Sequence, residues 1–317
     1  MARTDRHREP PDQPRSRPGK TAPLTRRDTL LAMIVGGAQF IQMLDSTIMI
    51  NALPSMARTL GVDPVSLNLA IIAYLICSAI FLPIRTWVAD RFGTLTVFRS
   101  AIACFAIASM ACGLAESLTQ LVIARAFQGA AGAMMLPVGR LILLKSVPKN
   151  RLVAALAVQQ MPALLGPLLG LLLGGLIVTY ASWRLIFFIN LPIAVLGMVL
   201  ATVYIPNGRD DGRSPFDWIS FLLSAAGLTA LTLALDGLGP RLLPVTTALS
   251  LLVLGAGLML ILVLRLRRTR TGLLDLSLFR LPSFRSAMTG GLLSRAQNGA
   301  APFLLVLLLQ SSFGLTP

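Results

Sequence analysis

The sequence predicts an all-α polytopic membrane protein, a bundle of nine spanning helices, and three observations carry that prediction. Nine long apolar stretches follow one another along the 317 residues. The chain is 55% hydrophobic and only 13% charged, with a mean hydropathy of +0.75, far above that of an ordinary soluble domain. Its basic residues alternate between crowded and sparse connections. Of the 28 Lys and Arg, 23 fall in the N-terminal segment and in the 85–99, 140–151, 204–217 and 265–285 connections. The opposite connections hold Arg58, Arg184 and Arg241, while Arg125 and Arg295 fall within spans. Cytoplasmic loops retain Lys and Arg, so the N-terminus is expected inside the cell.

Residues 1–28 are rich in Arg and Pro without an apolar run, and read as a disordered basic cytoplasmic tail. They are not a cleavable signal peptide: the apolar run that follows is too long, and no small-residue cleavage site closes it. The first span covers Thr29 to Leu53, long enough for a ~30 Å hydrocarbon core at ~1.5 Å per residue. The next eight are expected at 67–87, 97–115, 118–141, 152–179, 185–205, 218–236, 242–264 and 285–309. Short connections make consecutive helices antiparallel neighbours in a bundle. A net charge of +15 would raise nucleic acid as a partner. Here it is spread over loops and a tail with no aromatic interleaving, so no nucleic acid is expected and the lipid bilayer is the partner. Cys77, Cys104 and Cys112 lie inside spans at no metal-ligand spacing and read as small core residues.

Some residues exceed what a membrane anchor needs. Asp45 sits in the first span, where a carboxylate costs ~2.5–3.5 kcal/mol and should face a polar cavity or a partner. Arg125 sits in the fourth span, which runs in the opposite direction. Counted from their cytoplasmic ends, both lie roughly 22–24 Å deep. They are therefore expected to share one polar cavity and to sense each other's charge. A permanent ion pair that only locks two helices is the alternative reading. Gln42 and Asn51 share the helix of Asp45 and could line a broad cavity-facing side, and Gln128, three residues after Arg125, shares its face. Some of these groups would serve only as interhelical hydrogen bonds, worth about 1 kcal/mol each. Arg295, about ten residues into the ninth span, is expected ~15 Å deep, facing either the cavity or a structural partner. In the fifth span Gly166, Gly170 and Gly174 recur at intervals of four, beside Pro167 and Gly175. Such small-residue spacing lets helix backbones approach closely, and the proline bends the helix or frees a carbonyl.

Five segments together resemble the major facilitator superfamily, in particular its 14-helix drug:proton antiporter branch. They are Leu44-Asp45-Ser46-Thr47 through Ala52-Leu53-Pro54, and Ala89-Asp90-Arg91-Phe92-Gly93 in the loop after the second span. Arg125-Ala126-Phe127-Gln128-Gly129 follows, then Gly166-Pro167 with Gly170, Gly174 and Gly175, and Ser182-Trp183-Arg184 through Asn190-Leu191-Pro192. They occur in the family's order, and the resemblance covers about residues 29–317. It departs at Thr86, where the loop signature usually has glycine, and at Leu171, where close relatives often carry a second proline.

The resemblance implies a major facilitator fold. Residues 29–205 would form an N-terminal six-helix transport bundle, and 206–264 a linker with two extra transmembrane helices. Residues 265–317 would hold a cytoplasmic loop and the first helix of an incomplete C-terminal bundle. Fourteen helices are implied and nine are found, so either the sequence is truncated or a short protein pairs with a complementary chain. Asp90, Arg91, Gly93 and Arg140 would contribute to a cytoplasmic gating loop.

The resemblance further implies proton-coupled efflux of amphipathic small molecules or drugs by alternating access, in a bacterial inner membrane, with a periplasmic adaptor as a further partner. No cofactor is expected. The chain lacks a phosphate-binding Gly-x-x-x-x-Gly-Lys-Ser/Thr loop, since the run from Gly139 to Ser146 has no glycine before Lys145, which leaves an ion gradient, here a proton gradient, or simple facilitation. On this reading Asp45 carries or gates the proton and Arg125 tunes it. A non-transporting scaffold or an inactive fragment is the alternative. A membrane enzyme ranks last, for want of paired acids, a metal cluster or a nucleophile with its base.

Overall fold

A computed structural model describes residues 23–206, 216–237, 244–268, 276–294 and Gln297. Among the described residues the regular structure is helical. In chain order the helices are α1 (Arg26–Leu60), α2 (Asn68–Phe81), α3 (Arg85–Phe92), α4 (Thr94–Gly113) and α5 (Leu118–Ser146). They continue with α6 (Lys149–Tyr180), α7 (Leu185–Phe188), α8 (Asn190–Tyr204), α9 (Trp218–Gly237) and α10 (Val245–Arg268). Taking α7 and α8 as one span, seven are long and apolar enough to cross a membrane, and α2 is a shorter apolar helix of 14 residues. The fold is therefore that of an all-α polytopic membrane protein. The chain divides into two compact units, one through Arg213 and one from Ser214. The second contains the α9–α10 hairpin and helical residues 282–294. Most of the expected ninth span, 295–309, lies outside the described residues.

Local chemistry sets the helix ends, and it corrects several expected boundaries. Thr25 and Asp28 form a reciprocal cap: the Asp28 N–H donates to Thr25 Oγ1 at 3.2 Å and the Thr25 N–H donates to Asp28 Oδ2 at 3.1 Å. This cap satisfies two otherwise orphaned donors, so Arg26–Asp28 belong to α1 and not to the tail. The same helix runs through Pro54, past its expected end at Leu53, and closes at Gly61, whose φ of 65° suits glycine. The second expected span is not one helix. Pro83 has no N–H and its ring crowds the preceding turn, so the chain breaks at 82–84 between α2 and α3. Pro192 acts similarly beside Ile189, where α7 gives way to α8.

Packing partners are the larger correction. Consecutive helices were expected to pair, yet α1 packs mainly along α6 and α2 mainly along α5. In the first pair, Asp28 meets Arg151, Gln39 meets Gln159 and Asn51 meets Leu171, so the two helices run parallel. The α4 helix packs on α5 and α8, and α1 also touches α5 and α8. Two apolar clusters fill this unit, one containing Phe98, Phe105 and Met135, the other Leu44, Trp183 and Phe187.

Glycines make the pairing tight. A Cβ at Gly166 would lie 2.6 Å from Met43 Cβ, and one at Gly170 would lie 2.9 Å from Thr47 Cβ. At Gly174 it would meet Asn51 Nδ2 at 3.0 Å. The spacing of four thus forms a seam against α1. Gly175 has open space around it and Pro167 is exposed, so neither belongs to that seam. Despite Pro162 and Pro167, α6 remains one helix.

Candidate functional site

Asp45 is the centre of a buried polar cluster between the α1–α6 and α2–α5 pairs. Leu44, Ile48 and Met49 surround it on α1 with buried apolar side chains, so its carboxylate cannot reach water and must be satisfied by protein donors. Three arrive from two helices. Arg125 Nη1 donates to Oδ2 at 2.6 Å, and Gln128 Nε2 donates to Oδ1 at 3.0 Å, both from α5. Asn190 Nδ2, at the start of α8, donates to the same Oδ1 at 2.9 Å. The Arg125 and Asp45 side chains are 2% and 1% exposed, which makes this a fully desolvated ion pair.

The helical repeat explains the donors on α5. Residues three apart share a face, so Arg125 and Gln128 both point at α1. They also bind each other, Arg125 Nη1 donating to Gln128 Oε1 at 2.7 Å. The Arg125 guanidinium further sits 4.5 Å from the centre of the Tyr74 ring, a cation–π contact from α2. Close approach of α2 to α5 depends on Gly129 and Gly132, which lie against the Tyr74 backbone and hydroxyl. A thiol completes the surroundings, with Cys112 Sγ donating to Gln128 Oε1 at 3.6 Å.

The other proposed cavity residues divide. Gln42 joins indirectly, donating from Nε2 to the Tyr74 hydroxyl at 3.1 Å. Asn51 does not join: it faces α6 and donates to the Leu171 carbonyl at 3.4 Å, because six residues along a helix turn it well away from Asp45. Arg295 lies outside the described residues. Sequence reasoning did not assign Tyr74, Ser109 or Asn190 to the site, although Asn190 stands in one of the five family segments. The available signal for Asn190 was its polarity, since no other polar side chain occurs between Leu185 and Thr202.

At the opposite end of these helices, Gly93 joins α3 to α4 with a φ of 87°, a conformation that favours glycine. Arg91 lies 5.9 Å from the Trp87 ring centre. Asp90 and Arg140 were expected in one charge network, but no hydrogen bond or ion pair joins them among the described residues. Arg140 instead lies within electrostatic reach of Arg85. Five residues separate Arg85 from Asp90 on α3, about 140° of helix rotation, so the acid faces away from Arg85.

Two further polar ties hold the unit. Arg184 Nη1 donates to the carbonyls of Gly113 at 2.8 Å and Ala115 at 2.6 Å, closing the end of α4. Arg151 Nη1 donates to Asp28 Oδ2 at 3.3 Å, linking the first turns of α6 and α1. Hydrogen bonding to Thr25, then to Arg151, holds the Asp28 carboxyl below its ordinary value against the opposing effect of burial.

Comparison with known proteins completes the picture. The family model described as Major Facilitator Superfamily matches residues 35–316. The chain is 41% identical over 284 residues to the probable transport protein HsrA of Haemophilus influenzae, covering 90% of this chain and 61% of that protein. It is 41% identical over 285 residues to the putative multidrug resistance protein MdtD of Escherichia coli, covering 90% and 60%. The chain thus spans about three fifths of the length of these relatives. In fold it is similar to the human organic anion transporter MFSD10 (TETRAN), with a TM-score of 0.50 and 14% identity over 72% of this chain and 60% of that one. A buried charge pair in an apolar bundle, a family match along most of the chain and transport proteins among its relatives agree: the chain belongs to the major facilitator superfamily, a family of membrane transporters and not of enzymes.

Proposed function

We propose that this protein is a proton-coupled exporter of small amphipathic molecules, with Asp45 as the group that takes up and releases the proton. The observation that carries the proposal is the buried Asp45–Arg125 pair. In a largely apolar bundle a desolvated carboxylate beside a guanidinium is costly, and its charge state governs how strongly α1 holds α5. Protonating Asp45 abolishes the pair; deprotonating it restores the pair. Substrate would compete for the same cavity, and Gln42 and Tyr74 would line its approach. The Arg-rich connections support a protein of the bacterial inner membrane with its N-terminus in the cytoplasm. Multidrug resistance in the name of the relative MdtD suits an amphipathic substrate. A periplasmic adaptor would carry that substrate onward.

A static lock is the second reading, favoured by the three donors that already satisfy the carboxylate. Proton release from the detergent-solubilised protein on adding a cationic amphipath, followed with a pH indicator dye, separates the two. Release by wild type and none by Asp45→Asn supports the proton carrier. Equal release by both sinks it.

A further inference from the structure

Asn190 has no exposed surface, yet its side-chain oxygen Oδ1 is without a hydrogen-bond partner among the described residues. Its nitrogen does all the work. Nδ2 donates to Asp45 Oδ1 at 2.9 Å and to Ser109 Oγ at 3.0 Å, and Ser109 in turn donates to the Phe187 carbonyl at 2.9 Å. That carbonyl belongs to α7, just before the helix breaks at Ile189. The amide orientation follows from charge: with the ends exchanged, two acceptor oxygens would oppose each other at the distance now spanned by Nδ2 and Asp45 Oδ1.

We propose that Asn190 is the positioning residue that reads the protonation state of Asp45 and relays it to the α7–α8 break. This inference rests on the reading of Asp45 as the proton carrier. A proton arriving on Asp45 Oδ1 turns that atom from an acceptor into a donor, and the Asn190 nitrogen then faces it donor to donor. Half a turn of the amide presents Asn190 Oδ1 to the new O–H. The Ser109 hydroxyl, within reach of the same oxygen, leaves the Phe187 carbonyl to donate there. The proton stays on Asp45 and no other covalent bond changes, so loss of that proton reverses every step. The flipped nitrogen gives up its present acceptors, and this cost confines the flipped state to the protonated carboxyl. The titratable and charged groups around Asp45 are Arg125 from α5, Tyr74 from α2 and Cys112 from α4. The Gln128 oxygen already accepts from Arg125 and Cys112, which leaves the Asn190 oxygen as the unoccupied acceptor beside Asp45 among the described residues.

Infrared difference spectroscopy between high and low pH, on the full chain in phospholipid nanodiscs, tests the relay. Wild type should show a protonated-carboxyl band that Asp45→Asn removes. The same step should perturb a side-chain amide band assigned by isotope-labelled asparagine, a readout that needs no variant at Asn190. Asn190→Leu should shift the carboxyl band to higher frequency, because the new O–H loses its acceptor. Ser109→Ala should keep the carboxyl band and alter the amide one. A carboxyl band that depends on Asp45, with neither an asparagine signal nor a shift in Asn190→Leu, overturns the relay alone. No Asp45-dependent band at all overturns the proton-carrier reading and the relay with it.

Discussion

Gly166 and Met43 stand so close that a single added methyl group would come within 2.6 Å of the Met43 Cβ. Backbone and Cβ atoms cannot swing aside as a flexible side-chain end can, so the helices themselves would have to separate.

Gly166→Ala should therefore destabilise the protein by about 1–3 kcal/mol, the range for overpacking a filled interface. Gly175→Ala is the internal control. Open space surrounds Gly175, so that variant should be neutral or gain about 0.5–1 kcal/mol of helix propensity. Thermal unfolding in detergent compares them, and equal melting temperatures would refute the seam.

Removing one member of the Asp45–Arg125 pair should cost about 3–5 kcal/mol, since the other charge is left buried without its counterion. Asp45→Asn and Arg125→Met should each fall in that range. The double variant should lose less than the sum of the singles, and a double-mutant cycle of unfolding midpoints gives the coupling directly. Simple additivity would mean that the two charges do not stabilise each other.

Arg184→Ala should cost about 1.5–3 kcal/mol by uncapping the carbonyls of Gly113 and Ala115 and by removing the stack on Trp183, whose ring centre lies 4.7 Å from the guanidinium. Arg184→Lys should recover only part of this, because an ammonium lacks the planar fork. Chemical denaturation of the three proteins ranks them.

Asp28 supplies a pH dependence of known sign. Its carboxyl is held below the ordinary value of 3.8 in the fold, by Thr25 foremost and then by Arg151. The stability it contributes is therefore fully present above that value and is lost as pH falls through the lower folded one. Melting curves from about pH 6 to about pH 3 should show a steeper acid loss in wild type than in Asp28→Asn. Parallel acid limbs would contradict the assignment.

Depth is legible in a membrane sequence and azimuth is not. Counting residues from the helix ends put Asp45 and Arg125 at one level, and in the structure they lie 2.6 Å apart. The same counting could not say which way Asn51 turns; it faces α6. Pro83 and Pro54 show why local rules fail in both directions. One proline breaks its helix and the other is absorbed by it. The pairing of α1 with α6, and of α2 with α5, depends on contacts between distant residues, which no local pattern contains. Asn190 was named in a family segment but given no role, because one amide in an apolar span is ordinarily a packing detail, and only its position against Asp45 sets it apart.

Glycine zippering gives the α1–α6 and α2–α5 pairs a mechanical character of their own. Each is a plank, α1–α6 joined at Gly36, Gly166, Gly170 and Gly174 and α2–α5 at Gly129 and Gly132, by close contacts that no change of charge can undo. The fastening between the planks is of another kind: a peg of opposite charges, Asp45 and Arg125. Loosening that peg leaves both planks intact, so motion within the unit would take the form of one plank sliding over the other, with no helix needing to unwind.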